Sequence, residues 1–233
     1  GSSLEDLGKL GAAGLNIVCN EELGLKLAKH LEKVFGTPYV VVGMPYGIEG
    51  TQDWLERIHK LLPCENLQAV KDEGKELLER LIAQGNDYRG VWGSLWFDNV
   101  ILAAPGTQAL CMAQALRREW ADMGELTVIC QHAVKTADYC DVADKVLVVG
   151  KDAAEIESLL QNAEDVLLLA SSSEASVRRR RRVDFSYSNI AYPCADEVLF
   201  TEVPFVGLQG AAHMLQKLWY AYITKAIKEQ VDK

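Results

Sequence analysis

Two rhythms of apolar and polar positions alternate along this chain. Short β-branched runs give way repeatedly to stretches with helical spacing. Leu15–Cys19 is the first such run and predicts a strand. Leu23, Leu27, Leu31, Val34 and Phe35 then set one face of a helix over Leu23–Phe35, with Gly36 placed as its C-cap and Pro38 forbidding continuation. Tyr39–Val42 reads as a buried strand. Thr51 is placed to N-cap the next helix, whose inward face is Trp54, Leu55, Ile58, Leu61 and Leu62, stopped by Pro63. Asp72–Ala83 predicts another helix, with Leu77, Leu78, Leu81 and Ile82 inward.

The stretch Gly85–Asn99 breaks the rhythm with Gly85, Gly90 and Gly93 among Tyr88, Trp92, Trp96 and Phe97, and reads as a loop joining two lobes. A second series follows: strand Asn99–Ala104, helix Gln108–Met123 closed by Gly124, strand Leu126–Cys130, strand Lys145–Val149, helix Ala153–Asn162 and strand Val166–Ala170. A final helix, about Gly210–Glu229, carries Leu215, Leu218, Tyr222, Ala226 and Ile227 on one face. Strands alternating with helices predict an α/β protein with parallel sheets. The expected organisation is two Rossmann-like parallel-sheet lobes, residues 14–87 and 88–205, with a C-terminal helix in residues 206–233 packing back across them onto the first lobe. Residues 1–13 read as a cloning remnant, Gly-Ser-Ser, and a leader, which leaves room for a removed signal or upstream domain.

Composition narrows the function classes. Over 233 residues, Lys+Arg 24 against Asp+Glu 33 gives a net charge of −9, a poor basis for binding a nucleic-acid backbone. A hydrophobic content of 49% excludes disorder, and no apolar run approaches the ~20 residues of a membrane helix. Six cysteines lie at wide, irregular spacings without a C-x-x-C, which predicts reduced thiols and a cytoplasmic protein.

Three strand ends share one chemistry: Met44–Thr51 (MPYGIEGT), Ala104–Ala109 (APGTQA) and Val203–Ala211 (VPFVGLQGA). In each, Pro and Gly turn the chain sharply out of a strand and a helix begins at once. A helix N-terminus offers free N–H groups and positive dipole, and strand ends of open α/β sheets are where ligands bind. Gly47, Gly50, Thr51, Pro105, Gly106, Thr107, Gly207 and Gly210 are therefore the candidate cofactor-binding residues; the alternative is that they only make tight turns. No Rossmann G-x-G-x-x-G or P-loop is present.

The run Arg178–Arg182 is open to two readings, an anion or partner clamp and a solvated face; in both it contributes nothing to stability. Cys130-Gln131-His132 with Cys140 and Asp141 matches no zinc spacing, so no metal site is assigned. His30, His59 and His213 lie within predicted helices without a second histidine at i+3 or i+4. Val183–Leu218 is rich in aromatics, including Phe185, Tyr187, Tyr192, Phe200 and Phe205. Trp219 and Tyr220 sit about 100° apart on the last helix, so one of them is expected outward as an interface anchor.

The wording of the chain adds a resemblance. GLNIVCNEELGLKLAKHLEKVFGTPYVVVGMPYGIEGTQDWLERI (Gly14–Ile58) and IAYPCADEVLFTEVPFVGLQGAAHML (Ile190–Leu215) resemble the nitrogenase component 1 family. ADKVLVVGKDAAEIESLL (Ala143–Leu160) and AEDVLLLASSSE (Ala163–Glu174) are similar to more generic elements of it. The resemblance implies a subunit built from Rossmann-like domains, paired with a second component 1-like subunit or with itself. It also implies an iron–sulfur cluster or tetrapyrrole held between domains of the full-length assembly and electrons from an ATP-driven iron protein. The departures limit it. The family's first, cysteine-bearing domain has no counterpart here. Ala28 stands where the molybdenum-iron subunit has its cofactor cysteine, Cys19 lies nine residues upstream, and the cofactor histidine falls near Glu197. No cofactor is expected in this chain alone. Two functions stay open: a nitrogenase component 1-like oxidoreductase subunit or fragment that positions a cluster or tetrapyrrole between lobes, and a non-catalytic assembly scaffold or small-molecule binding module.

Overall fold

The computed structural model describes residues 3–132, 134–198 and 204–231. After a short helix α1 (Leu4–Gly8), strand β1 (Asn16–Val18), helix α2 (Glu21–Phe35) and strand β2 (Tyr39–Val41) form a parallel two-stranded sheet in which Asn16 pairs with Tyr39 and Val18 with Val41. Helices α3 (Gly47–His59) and α4 (Leu67–Trp92) complete the first lobe. The second lobe runs β3 (Trp96–Ala104), α5 (Gly106–Ala115), a π-helical turn (Leu116–Trp120), β4 (Asp122–Cys130), β5 (Lys145–Val148), α6 (Ala153–Asn162), β6 (Val166–Ala170), α7 (Ser172–Arg181) and β7 (Phe185–Asn189). Helix α8 (Gly207–Val231) closes the chain, packing on α3, α4 and β7. Among the described residues no helix is long and apolar enough to cross a membrane.

The large sheet is fully parallel, in the order β5-β4-β3-β6-β7. Parallel strands covered by helices on both faces read as continuous apolar runs, and VILAA, VIC and VLLLA do so. Val100, Leu102, Leu126, Val128, Leu167 and Leu169 meet α5, the π turn and α8 through Met112, Leu116, Met214 and Leu218. On the other face Ile101, Ala103, Ile129 and Leu168 meet Leu160 of α6 and Ala175 of α7.

Several sequence expectations are corrected. Gly85–Asn99 is not a loop: α4 continues through Gly85 and Gly90 to Trp92, and β3 has begun at Trp96. Each glycine costs a helix about 1 kcal/mol, but packing against α8 overrides this, with Tyr88 stacked on Trp219 at 5.6 Å and Trp92 against the core. Residue 87, the expected lobe boundary, falls inside α4. The helix after β3 does not reach Met123 but ends in the π turn, so that Met123 and Gly124 belong to β4. Gly124 is not a helix cap: an added Cβ would lie 2.6 Å from the Asp98 carbonyl oxygen of the adjacent strand. α3 starts at Gly47, which leaves Thr51 one turn inside it instead of at the cap. The expected inward face of α2 is largely uncovered: Leu31 is buried, but Leu23 is 70% exposed, and Leu27, Val34 and Phe35 are exposed too. A two-stranded sheet is too narrow to cover the whole helix.

The arginine run also reads differently. Ser171 and Glu174 form a capping box that starts α7, and Arg178–Arg181 are its last turn. Arg178 is fully buried at 0% exposure. Its guanidinium donates to the carbonyls of Leu160 at 3.2 Å, Ala163 at 2.6 Å and Asp184 at 3.2 Å, and lies 5.1 Å from the centre of the Phe185 ring. Arg179 pairs with Asp196 at 2.7 Å. Arg180, Arg181 and Arg182 are exposed. The expectation that the run is neutral for stability therefore fails at Arg178, because helix periodicity turns one residue of the five inward. Arg178→Ala removes the buried guanidinium that bonds three carbonyls and is expected to cost about 3 kcal/mol, read by urea denaturation. Arg180→Gln and Arg181→Gln are expected to stay within about 0.5 kcal/mol.

Candidate functional site

In a doubly wound sheet the crevice for ligands opens at the C-terminal ends of the strands, where the strand order reverses. Here that point lies between β3 and β6, because β4 and β5 extend the sheet on one side and β6 and β7 on the other. Pro105, Gly106 and Thr107 leave β3 there, and Ser171 and Ser172 leave β6.

Both sides of the crevice are filled by the chain itself. On the α5 side, Glu22 of α2 accepts the Thr107 backbone N–H at 2.6 Å through one oxygen and the Thr107 hydroxyl at 2.6 Å through the other. The Thr107 hydroxyl in turn accepts the Glu21 N–H at 3.1 Å. A Cβ on Gly106 would collide with this carboxylate and with Val134. On the α7 side, the segment after β7 folds over the strand ends. Ser172 N–H donates to the Pro193 carbonyl at 2.9 Å, its hydroxyl donates to Asp196 at 2.6 Å, and that hydroxyl accepts the Ala195 N–H at 2.7 Å.

The first lobe repeats the device. Glu119, on the π turn, accepts the N–H groups of Ile48 at 2.6 Å and Glu49 at 2.9 Å at the start of α3. Gly47 has φ +75°, and a Cβ there would strike Glu119. The Thr51 hydroxyl bonds the Gly47 carbonyl at 2.5 Å. Gly207 N–H donates to the Pro45 carbonyl at 2.9 Å, so the turn opening α8 abuts the turn opening α3. Gly210 is required by a close approach: a Cβ would lie 2.6 Å from the Phe205 carbonyl oxygen. The third turn adjoins through Gly43, where a Cβ would lie 3.7 Å from the Thr107 methyl. Gly50 faces open space on the rim of a cavity of about 90 Å3 lined by Met44, Trp54, Arg57, Cys111 and Arg118. Val203 and Phe200 lie outside the described residues.

Among the described residues, no thiol or phenol in this region is shifted toward its ionised form. Burial pushes the Cys111 and Cys130 thiols up, and does the same to the phenols of Tyr46 and Tyr139. Cys130 is buried and bonds the Tyr139 hydroxyl at 3.4 Å, which itself donates to the Gly106 carbonyl at 2.6 Å. His132, Cys140 and Asp141 are exposed. No three His, Cys, Asp or Glu side chains converge as metal ligands among the described residues. His213 is held below its usual range by burial, then by the Lys217 ammonium, and rests edge-on against Phe205.

This chain matches the profile of nitrogenase component 1 type oxidoreductases over residues 1–222. The chain belongs to that family. Similar proteins include a light-independent protochlorophyllide reductase subunit of Nostoc punctiforme, 23% identical over 241 residues, covering 95% of this chain and 44% of that protein. The corresponding protein of Zygnema circumcarinatum is 27% identical over 242 residues, covering 95% and 45%. That of Chloroflexus aggregans reaches 44% identity over 62 residues, 27% of this chain and 11% of that protein. The solved structure "Nitrogenase Cp1 at pH 6.5" superposes with TM-score 0.77 at 19% identity, covering 98% of this chain and 49% of that one. This likeness shows the component 1-type fold. The chain spans about half the length of the curated relatives it matches.

Sequence reasoning missed Glu22 and Asp196, which close the crevice, and Glu119, which caps α3. Only the Ser171-x-x-Glu174 box carried a readable signal. Glu119→Ala leaves the Ile48 and Glu49 N–H groups unpaired and is expected to cost about 2 kcal/mol. Burial raises the Glu119 pKa, outweighing the backbone amides at the start of α3 that lower it. A raised carboxylate pKa gives stability that is full below the unfolded value of about 4.5 and is lost as pH rises through the folded value. The stability of the wild type minus that of Glu119→Gln should therefore be greatest near pH 4 and shrink toward pH 7, measured by urea denaturation at both.

Proposed function

We propose that this chain forms the two-lobe body of a component 1-type oxidoreductase subunit. Its strand-end face, carrying Gly47, Gly50, Thr51, Pro105, Gly106, Thr107, Gly207 and Gly210, is the surface against which a metal cluster or tetrapyrrole is positioned for reduction. The observation that carries this reading is the adjacency of the three turns, Gly207 hydrogen-bonded to Pro45 and Gly43, which leads into the first turn, lying beside Thr107, in a chain whose family match runs over residues 1–222.

The residues present do not fit either group as a resident cofactor. The buried thiol of Cys130 is committed to Tyr139, and no cluster-binding set converges among the described residues. The cavity between the lobes beside Gly50, about 90 Å3, is far below the roughly 300–1,000 Å3 of cofactor pockets. No redox step is therefore assigned to these side chains. In this reading the ligands come from a second component 1-like subunit, or a second copy, and the electrons from an ATP-driven iron protein. The chain's own contribution is shape and a surface without competing nucleophiles. The second reading, a non-catalytic scaffold or binding module on the same fold, is favoured by the internal carboxylates that fill the N-termini of α3 and α5.

Two measurements separate these readings. Anaerobic incubation of the chain with ferrous iron and sulfide is expected to give no stoichiometric visible charge-transfer band; a stoichiometric band overturns the assignment of cluster ligands to a partner. Co-expression with a second component 1-type subunit is expected to yield a complex on size exclusion with light scattering. A persistent monomer in that experiment overturns the subunit reading and leaves the scaffold.

A further inference from the structure

A second concavity lies at the opposite edge of the large sheet. Leu95, Ala121 and Asp122, which lead into β3 and β4, border it, so it opens at the N-terminal ends of the strands, away from Pro105–Thr107. α4, the π turn and α8 enclose about 160 Å3 there. Its apolar wall is formed by Leu78 and Ile82 from α4 and by Leu215 and Trp219 from α8, and charged side chains line part of the rest. Leu78 and Ile82 stand 44% and 52% exposed, so the wall is open to an incoming ligand.

The charges on its rim are uneven. Arg117 is committed to Asp144 and to the Val142 and Met123 carbonyls. Arg89 touches only the Asn86 side chain, at 3.4 Å, and Arg118 has no hydrogen-bond or ion-pair partner among the described residues. Of the acids, Glu119 is committed to the α3 amides, and Asp122 is exposed. Two uncommitted guanidinium groups thus border a cavity with one apolar wall, on a chain with net charge −9. Guanidinium is the side chain best suited to a carboxylate, which it holds bidentately. At about 30 Å3 per water-sized group, the space suits a short aliphatic chain.

We propose that this groove binds a small amphipathic carboxylate, its apolar body against Leu78, Ile82, Leu215 and Trp219 and its carboxylate between Arg89 and Arg118. The groove meets the strand-end face at Ile48, Arg118 and Glu119, but its apolar wall comes from α4 and α8, and it does not depend on the function proposed for that face. The size of the cavity and the single anionic head limit affinity to the order of 1 mM.

The test is a titration of the full chain with hexanoate, followed by tryptophan fluorescence, since Trp120 and Trp219 both border the cavity. Saturable binding is expected, weakened at least tenfold in Arg89→Gln/Arg118→Gln. Neutral hexanamide is expected to bind the wild type at least tenfold more weakly than hexanoate does. Ile82→Glu, a change at a half-exposed helix position, places a carboxylate beside the groove and should abolish hexanoate binding with the fold intact by circular dichroism. Absence of saturation, equal hexanoate affinity in the double variant and the wild type, or equal affinity for hexanamide would each overturn the proposal. If the double variant does not fold, Ile82→Glu decides: hexanoate binding that survives it sinks the idea.

Discussion

Two carboxylates, each crossing from one lobe to the other, hold the molecule together. Glu22 leaves the first lobe to cap α5, and Glu119 leaves the second to cap α3. A helix start carries unsatisfied N–H groups, and a carboxyl oxygen from the other lobe satisfies them inside the fold; at Glu119 burial outweighs the favourable field of those amides and its pKa rises. The first lobe needs this support. Its sheet has two strands of three residues each, and a two-stranded sheet does not stand alone in water. What fixes it is its attachment to the second lobe, through Glu22 and Glu119, together with α8 packing on α3 and α4.

The same contacts decide what the strand-end face can offer. Free helix N-termini are what make these turns look like a ligand site in the sequence, and those of α3 and α5 are the groups that the fold uses to join its lobes. An external anion at either place would have to displace an internal one that is already desolvated and hydrogen-bonded twice. The turns are close to each other, as ligand-binding turns of this architecture are, but their donors are spent within the chain.

Much of the fold was legible because its signals are local. Ala153–Asn162 and Val166–Ala170 fall where period and β-branching put them, since buried parallel strands and amphipathic helices write their environment into consecutive residues. The errors came where distant packing overrode local preference. Gly85 and Gly90 sit in a helix because α8 lies against it, and Gly124 sits in a strand because the Asp98 carbonyl leaves no room for a side chain. Leu23 and Leu27 look like core residues by spacing, yet only a two-stranded sheet lies beneath them. The candidate turns were readable from their Pro-Gly wording. Glu22 and Glu119 were not, because a glutamate on a helix looks the same whether it faces water or caps a helix 70 residues away in sequence, as Glu119 does for Glu49.

The π turn at Leu116–Trp120 has a consequence for how this chain can vary. A π turn holds one residue more than the α-helical turn it replaces, closed here by the Ala121 N–H on the Leu116 carbonyl. Removing one residue from it would restore regular helix and rotate everything beyond by about 100°. Glu119 would swing off the start of α3 and Trp120 off the core in the same step. The register between the two lobes is thus written as a single inserted residue, and a change of length here moves a lobe-to-lobe bond and a core side chain together.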